Sequence, residues 1–232
     1  MTKLYNDDQS LFKLMREELF TAVVGDVMDK MGLLHQFLPP YLSPLHDDMI
    51  VAGRSMTVLE AIWFEETNSG GNSSISDKPF GLMMHALDDL KPGEVYVAGG
   101  AAIGQFAQFG EMMATRATQL GAVGAIVDGY SRDTRGILKQ GFPVISKGRY
   151  AQDQGARGKV VDWRVPIEIG GVRINTGDLI FGDIDGTMVI PREAEEEAIA
   201  RAVEKVRGES KVAQALQNGM GAAEAFETFG IM

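Results

Sequence analysis

Two short apolar runs set the architecture that this chain can adopt. Glu94 to Ala98 (EVYVA) leads into Gly99-Gly100, and Ala122 to Val127 (AVGAIV) ends at Asp128. Between them, a stretch from about Phe106 to Leu120 has the length and spacing of a helix, so the segment reads as strand, crossover helix and second strand. Glycine is abundant, 28 of 232 residues, and many copies end apolar runs, where turns need positive φ or a close backbone approach. An α/β fold with many short connections follows.

The flanking segments extend that reading. Ser10 is the expected cap of a first helix through Leu19, and Thr21 of a second through Met31, which Gly32 stops. Met49 to Leu59 reads as a strand, and Asn68 to Lys78 (NSGGNSSISDK) as a polar loop, either a lid or a solvated connection. Gly136 to Leu138 and Phe142 to Ser146 continue the alternation. Val165 to Ile169, Val172 to Ile174, Asp178 to Phe181 and Thr187 to Ile190 are expected strands joined by Gly or Asp-Gly turns. After Pro191, acids precede an apolar face of Ala198, Ile199, Ala202, Val203 and Val206, which predicts a helix. Further helical segments are expected from Lys211 and near Ala222 to Phe229. No repeat or linker splits the chain, so one domain spans 1–232: amino-terminal helices over 1–35, an α/β core over 49–190 and carboxy-terminal helices over 191–232.

Composition excludes several functions. The chain has no cysteine, so any metal site must use carboxylate, carbonyl, imidazole or water ligands, and oxygen ligands favour magnesium, manganese or calcium. A formal charge of -10 repels phosphate backbones and argues against nucleic-acid binding. No segment has the length of a membrane span, nor does Met1 to Phe12 resemble an export signal, so a cytoplasmic protein is expected.

Candidate chemistry gathers at three places. Gly99-Gly100-Ala101-Ala102-Ile103-Gly104 sits between strand and helix, where an anion can dock, but its spacing is GGxxxG and no nucleotide fingerprint is present. The turn Asp128-Gly-Tyr-Ser-Arg132-Asp133 follows a buried strand, at the strand ends where α/β sheets bind ligands. Adjacent Arg132 and Asp133 can serve a carboxylate and a cation respectively, or form a structural ion pair. Glu111 lies among apolar or small helical neighbours and, by itself, reads as solvent-facing. His35, His46 and His85 are scattered, and Asp183-Ile-Asp185-Gly186 reads as a hairpin turn.

Glu111, 20 intervening residues and Arg132-Asp133 match the acid-x20-Arg-Asp signature of the 4-hydroxy-4-methyl-2-oxoglutarate aldolases, relatives of the regulator of ribonuclease E activity A. The chain resembles that family over most of its length, through TAVVGDVMDKMG, AGRSMTV, HALDDLKPGEVYV, GEMMATRATQLGAVGAIVDGYSRD, GFPVIS and PIEIGGVRINTGDLIFGDIDGTMVIP. The resemblance implies a swivelling β/β/α-type fold, trimers or pairs of trimers, and a site near subunit interfaces that holds Mg2+ or Mn2+. It assigns Asp133 as metal ligand, Arg132 as the group for the substrate's carboxylate and oxo end, and Glu111 as the acid that orients water on the metal. It also makes the backbone of Gly110, Glu111, Met112 and Met113 the cradle of the pyruvyl moiety. The implied activity is cleavage of a 4-hydroxy-2-oxo acid to pyruvate, with oxaloacetate decarboxylation through the same enolate.

The competing expectation is a non-catalytic regulator that binds a ribonuclease by its protein surface. The complete set of Glu111, Arg132 and Asp133 favours the enzyme. A methyltransferase reading lacks a cofactor-binding glycine fingerprint.

Overall fold

The computed structural model describes residues 4–63, 74–100 and 106–230. In chain order the elements are α1 (Asp8–Glu18), α2 (Thr21–Lys30), β1 (Ser43–Pro44), β2 (Val51–Ile62), α3 (Met83–Asp88), β3 (Glu94–Gly99), β4 (Ala107–Phe109), α4 (Glu111–Gln119), β5 (Gly124–Val127), β6 (Tyr130–Ser131), α5 (Thr134–Gln140) and β7 (Val144–Ser146). There follow β8 (Gly158–Trp163), β9 (Ile167–Ile169), β10 (Val172–Ile174), β11 (Leu179–Gly182), β12 (Thr187–Ile190), α6 (Glu195–Gln217) and α7 (Ala222–Phe229).

Eight strands form one mixed sheet in the order β1-β7-β5-β3-β2-β11-β12, with β8 also paired to β2. The four strands β2, β3, β5 and β7 run parallel, as β-α-β crossovers require. Their residues are almost wholly buried, since elements cover both sheet faces. One face packs Met56, Val58, Tyr96, Ala98 and Ala125 against α3 and α4, and the other packs Val95, Val97 and Ile126 against the β9–β10 hairpin. Helices α1, α2 and α6 close a third apolar cluster with Ala52, Phe181 and Met188. The fold is thus a mixed α/β domain with helices at both ends.

Several expectations need correction. Residues 106–109 are not helical: β4 occupies 107–109, and the crossover helix begins only at Glu111. Phe106 and Phe109 are buried and Phe109 stacks on Phe142 with centroids 5.9 Å apart, so the alternation that looked helical serves a short strand. Ser10 is not the cap of α1; Asp7 is, and Ser10 completes a reciprocal capping box. Thr21 is the first residue of α2, and its N–H and hydroxyl donate to Asp183 at 2.7 and 2.6 Å, so a remote acid does the capping. Residues 136–138 lie in α5, and Lys211 lies within α6, whose 23 residues run without a break. Strand β8 was not foreseen.

The β3-α4-β5 unit stands as expected, with β3 and β5 parallel neighbours. Asp183 to Gly186 is the β11–β12 turn, in which the Asp183 carboxylate accepts N–H bonds from Asp185 and Gly186. Of the polar loop read at 68–78, residues 74–77 form a turn, and the stretch before it lies outside the described residues. So do residues 101–104 of the glycine-rich segment.

Candidate active site

Helix α4 starts where β4 stops. The Phe109 carbonyl accepts the Arg132 N–H at 2.9 Å and the Ser131 hydroxyl at 3.2 Å, so the helix start is pinned to the end of β6 and the residue after it. Gly110 caps α4 in extended backbone, and no side chain caps the helix. The first-turn N–H groups of a helix have no partner within it and carry its positive dipole end. Residues 110–113 therefore present an anion-attracting edge.

Arg132 and Asp133 face that edge. Asp133 precedes α5 with φ 57° and ψ 32°, in the left-handed region that Asp tolerates better than most residues. Although it occupies the cap position, its carboxylate makes no capping bond. The position a Cβ would take on Gly110 lies 2.8 Å from Asp133 Oδ2, so only glycine there lets the carboxylate approach the helix start. Arg132 Nε is 3.6 Å from Asp133 Oδ2, and its Nη1 is 2.8 Å from Asp153 Oδ1. Asp153 is itself held, because its other oxygen accepts the Gly155 N–H at 3.1 Å.

These groups border a cavity of about 390 Å³. Gly110, Met112, Met113, Arg132 and Asp133 all line it, and Phe80, Met83 and Leu87 give it an apolar wall. Segments 110–113 and 132–133, distant in sequence, thus meet around one space. Glu111 does not line it: its carboxylate lies over Gly136 of α5, where an added Cβ would stand 1.9 Å from Glu111 Cδ. Asp128 also turns away, buried, with one oxygen taken by Lys147 and by the Tyr41 hydroxyl, each at 3.0 Å. Burial, then the Asp128 charge, pushes the Tyr41 hydroxyl up to about 12.

The family profile described as RraA-like, Aldolase/RraA, matches residues 21–189, well over half the chain. The chain belongs to this family. A Halalkalibacterium halodurans protein named "Putative 4-hydroxy-4-methyl-2-oxoglutarate aldolase" is 30% identical over 206 residues, 89% of either chain. Two solved structures share the fold. One, an uncharacterized protein from Pseudomonas syringae, superposes with a TM-score of 0.78 at 24% identity and covers 94% of this chain and 96% of its own. The other, Streptomyces coelicolor RraAS2, described as an unusual member of the RNase ES inhibitor RraA family, gives 0.74 at 21% identity over 89% of this chain and 96% of its own.

In this RraA-like chain, sequence reasoning passed over several residues of the cavity. Asp153, Gln154, Gln108, Asp88 and Arg116 all line it. Gln108 and Gln154 are each 2% exposed, and both amide atoms of Gln108 and the Nε2 of Gln154 lack a hydrogen-bond partner. Unsatisfied buried amides are uncommon and mark places where a ligand or water belongs. No spacing flagged these side chains, because β4 and the 153–155 turn meet only in the fold. Among the described residues no three His, Asp or Glu side chains converge as a metal cage, and no helix is long and apolar enough to cross a membrane.

Proposed function

We propose that this RraA-like chain is a divalent-metal-dependent lyase that cleaves a small 4-hydroxy-2-oxo acid, such as 4-hydroxy-4-methyl-2-oxoglutarate, to pyruvate, and also decarboxylates oxaloacetate. The observation that carries the proposal is the meeting of the uncapped start of α4 with Arg132 and Asp133 around one cavity. Asp133 fits Mg2+ or Mn2+: it offers a hard oxygen donor, its carboxylate is not spent on capping, and its side chain is 46% exposed. Mg2+ commonly takes one or two carboxylates and completes its shell with water. The ion supplies Lewis-acid charge at the oxo end of the substrate.

The protein groups do the rest. The substrate's C1 carboxylate lies on the N–H groups of residues 111–113 and on Arg132, whose charge-assisted bonds orient it. The 4-hydroxyl loses its proton, the C3–C4 bond breaks, and the electron pair moves into pyruvate enolate. Arg132 is fixed in advance where that negative charge develops, which lowers the barrier without reorganisation. A proton returned to C3 completes pyruvate. In oxaloacetate the same bond breaks, carbon dioxide leaves, and the same enolate forms. Glu111, on the first turn of α4, is the acid that holds the proton-carrying water, a role for which its carboxylate has to turn from Gly136 toward Asp133. Assembly into trimers or pairs of trimers in the cytoplasm belongs to the same proposal. The exposed Met112 and Met84, 82% and 54% accessible at the cavity, support it as apolar surface that a neighbouring chain can cover.

The test is pyruvate release from 4-hydroxy-4-methyl-2-oxoglutarate and from oxaloacetate, with added Mg2+ or Mn2+ and again with a chelator. Release that the chelator abolishes is expected. No release from either substrate would overturn the reading in favour of a protein-binding regulator.

A further inference from the structure

The same cavity carries a second guanidinium that cleavage itself does not use. Arg116 follows Met112 and Met113 by one helical turn on α4 and lines the cavity with them. Its Nε donates to Asp88 Oδ1 at 2.8 Å and its Nη1 to Gln119 Oε1 at 2.7 Å. Arginine has five N–H donors, so these two contacts steady the group and leave others to give. Arg132 stands at the level of Gly110, 3.5 Å from where its Cβ would be, and Arg116 lies six residues further along α4. At about 1.5 Å per residue that is roughly 9 Å along the helix axis. Met83, Leu87 and Met113 supply apolar wall in the same space. Two cations some way apart with apolar surface between them match a short chain that is charged at both ends.

We infer that Arg116 receives the second carboxylate of the substrate and so selects 2-oxo dicarboxylates over monocarboxylic 4-hydroxy-2-oxo acids. This rests on the lyase reading above, which assigns the first carboxylate to Arg132. The inference adds what the other end of the molecule touches. Asp88 does not block the contact: its side chain is 62% exposed, so water and salt screen its charge, while it orients Arg116 by a single hydrogen bond. Exposed to water on one side, Arg116 also lets the second product leave. It is a binding and specificity residue, and the bond that breaks lies near Arg132.

The experiment compares pyruvate release from the diacid 4-hydroxy-4-methyl-2-oxoglutarate with release from the monoacid 4-hydroxy-2-oxopentanoate, in the unmodified protein, Arg116→Gln and Arg116→Lys. The expected result is that Arg116→Gln lowers the diacid-to-monoacid ratio of kcat/KM by about tenfold or more, through a raised KM for the diacid, and that Arg116→Lys recovers part of it. A ratio within about twofold of the unmodified protein in Arg116→Gln, with pyruvate still released, overturns the role of Arg116 and leaves the lyase reading intact. An unmodified protein that releases pyruvate from neither acid overturns both. Melting temperatures of the two variants exclude misfolding as the cause, since the Arg116 side chain is 42% exposed.

Discussion

Asp133 occupies a cap position without capping, in a left-handed backbone that costs free energy in most residues. The cost is consistent with a carboxylate held for a ligand and not for helix stability. Asp133→Asn is therefore expected to lower metal-dependent turnover by about a hundredfold or more. Its melting temperature should stay close to that of the unmodified protein, because the side chain is 46% exposed and makes no capping bond. A collapse of the fold with no separate effect on metal response would make Asp133 a structural residue. Asp153 acts one step away, since it holds Arg132 from the far side at 2.8 Å. Asp153→Asn keeps the Gly155 contact and the size of the group but removes its charge, so KM for an oxo acid is expected to rise by roughly tenfold, with kcat less affected. Equal losses in both constants would place Asp153 in the bond-breaking step instead. At this scale the spacing and the resemblance singled out Glu111, Arg132 and Asp133, and of these Arg132 and Asp133 line the cavity while Glu111 does not. Asp153 and Arg116 were not, because nothing in the local sequence marks a charged surface residue as facing a cavity.

Elements show a similar division. The β3-α4-β5 crossover was legible because its strands are mostly apolar and end at or next to glycine. The start of α4 was misplaced by five residues, because Phe106 and Phe109 have spacing that also suits a helix, and only pairing of β4 with β6 decides between the two. That error bears on function, for the true start brings the free N–H groups of residues 111–113 to the cavity. The ends of α1 and α2 were likewise decided by partners. The Asp183 carboxylate in the β11–β12 turn receives both the N–H and the hydroxyl of Thr21, across 162 residues of chain. Buried charge-assisted bonds of this kind contribute more than neutral ones, so Asp183→Ala is expected to cost about 2–4 kcal/mol. Urea unfolding measures it, and a loss below about 0.5 kcal/mol would mean that the tie between hairpin and helix is dispensable.

In the whole molecule, one buried acid links the core to pH. Glu60 on β2 is 2% exposed, its Oε1 has no hydrogen-bond partner, and burial pushes its carboxyl up to about 8. The folded protein keeps this proton up to about pH 8, whereas the unfolded chain releases it near 4.5. Between those values the unfolded state binds fewer protons, so stability falls as pH rises and levels off above 8. The slope from this group is at most about 1.4 kcal/mol per pH unit. Glu60→Gln should flatten the decline in melting temperature between pH 5 and 8, and an identical decline in both proteins would show that Glu60 is not its source. The amino-acid sequence alone determined the α/β class, the absence of thiolate chemistry, the helical ends and the family, because these follow from periodicity, composition and runs of residues near one another. Tertiary structure alone decided which face of α4 lines the cavity, which way Glu111 and Asp128 turn, and that Arg116 and Asp153 line the same cavity as Arg132 and Asp133. Those outcomes depend on contacts between segments far apart in the chain, and local patterns carry no record of them.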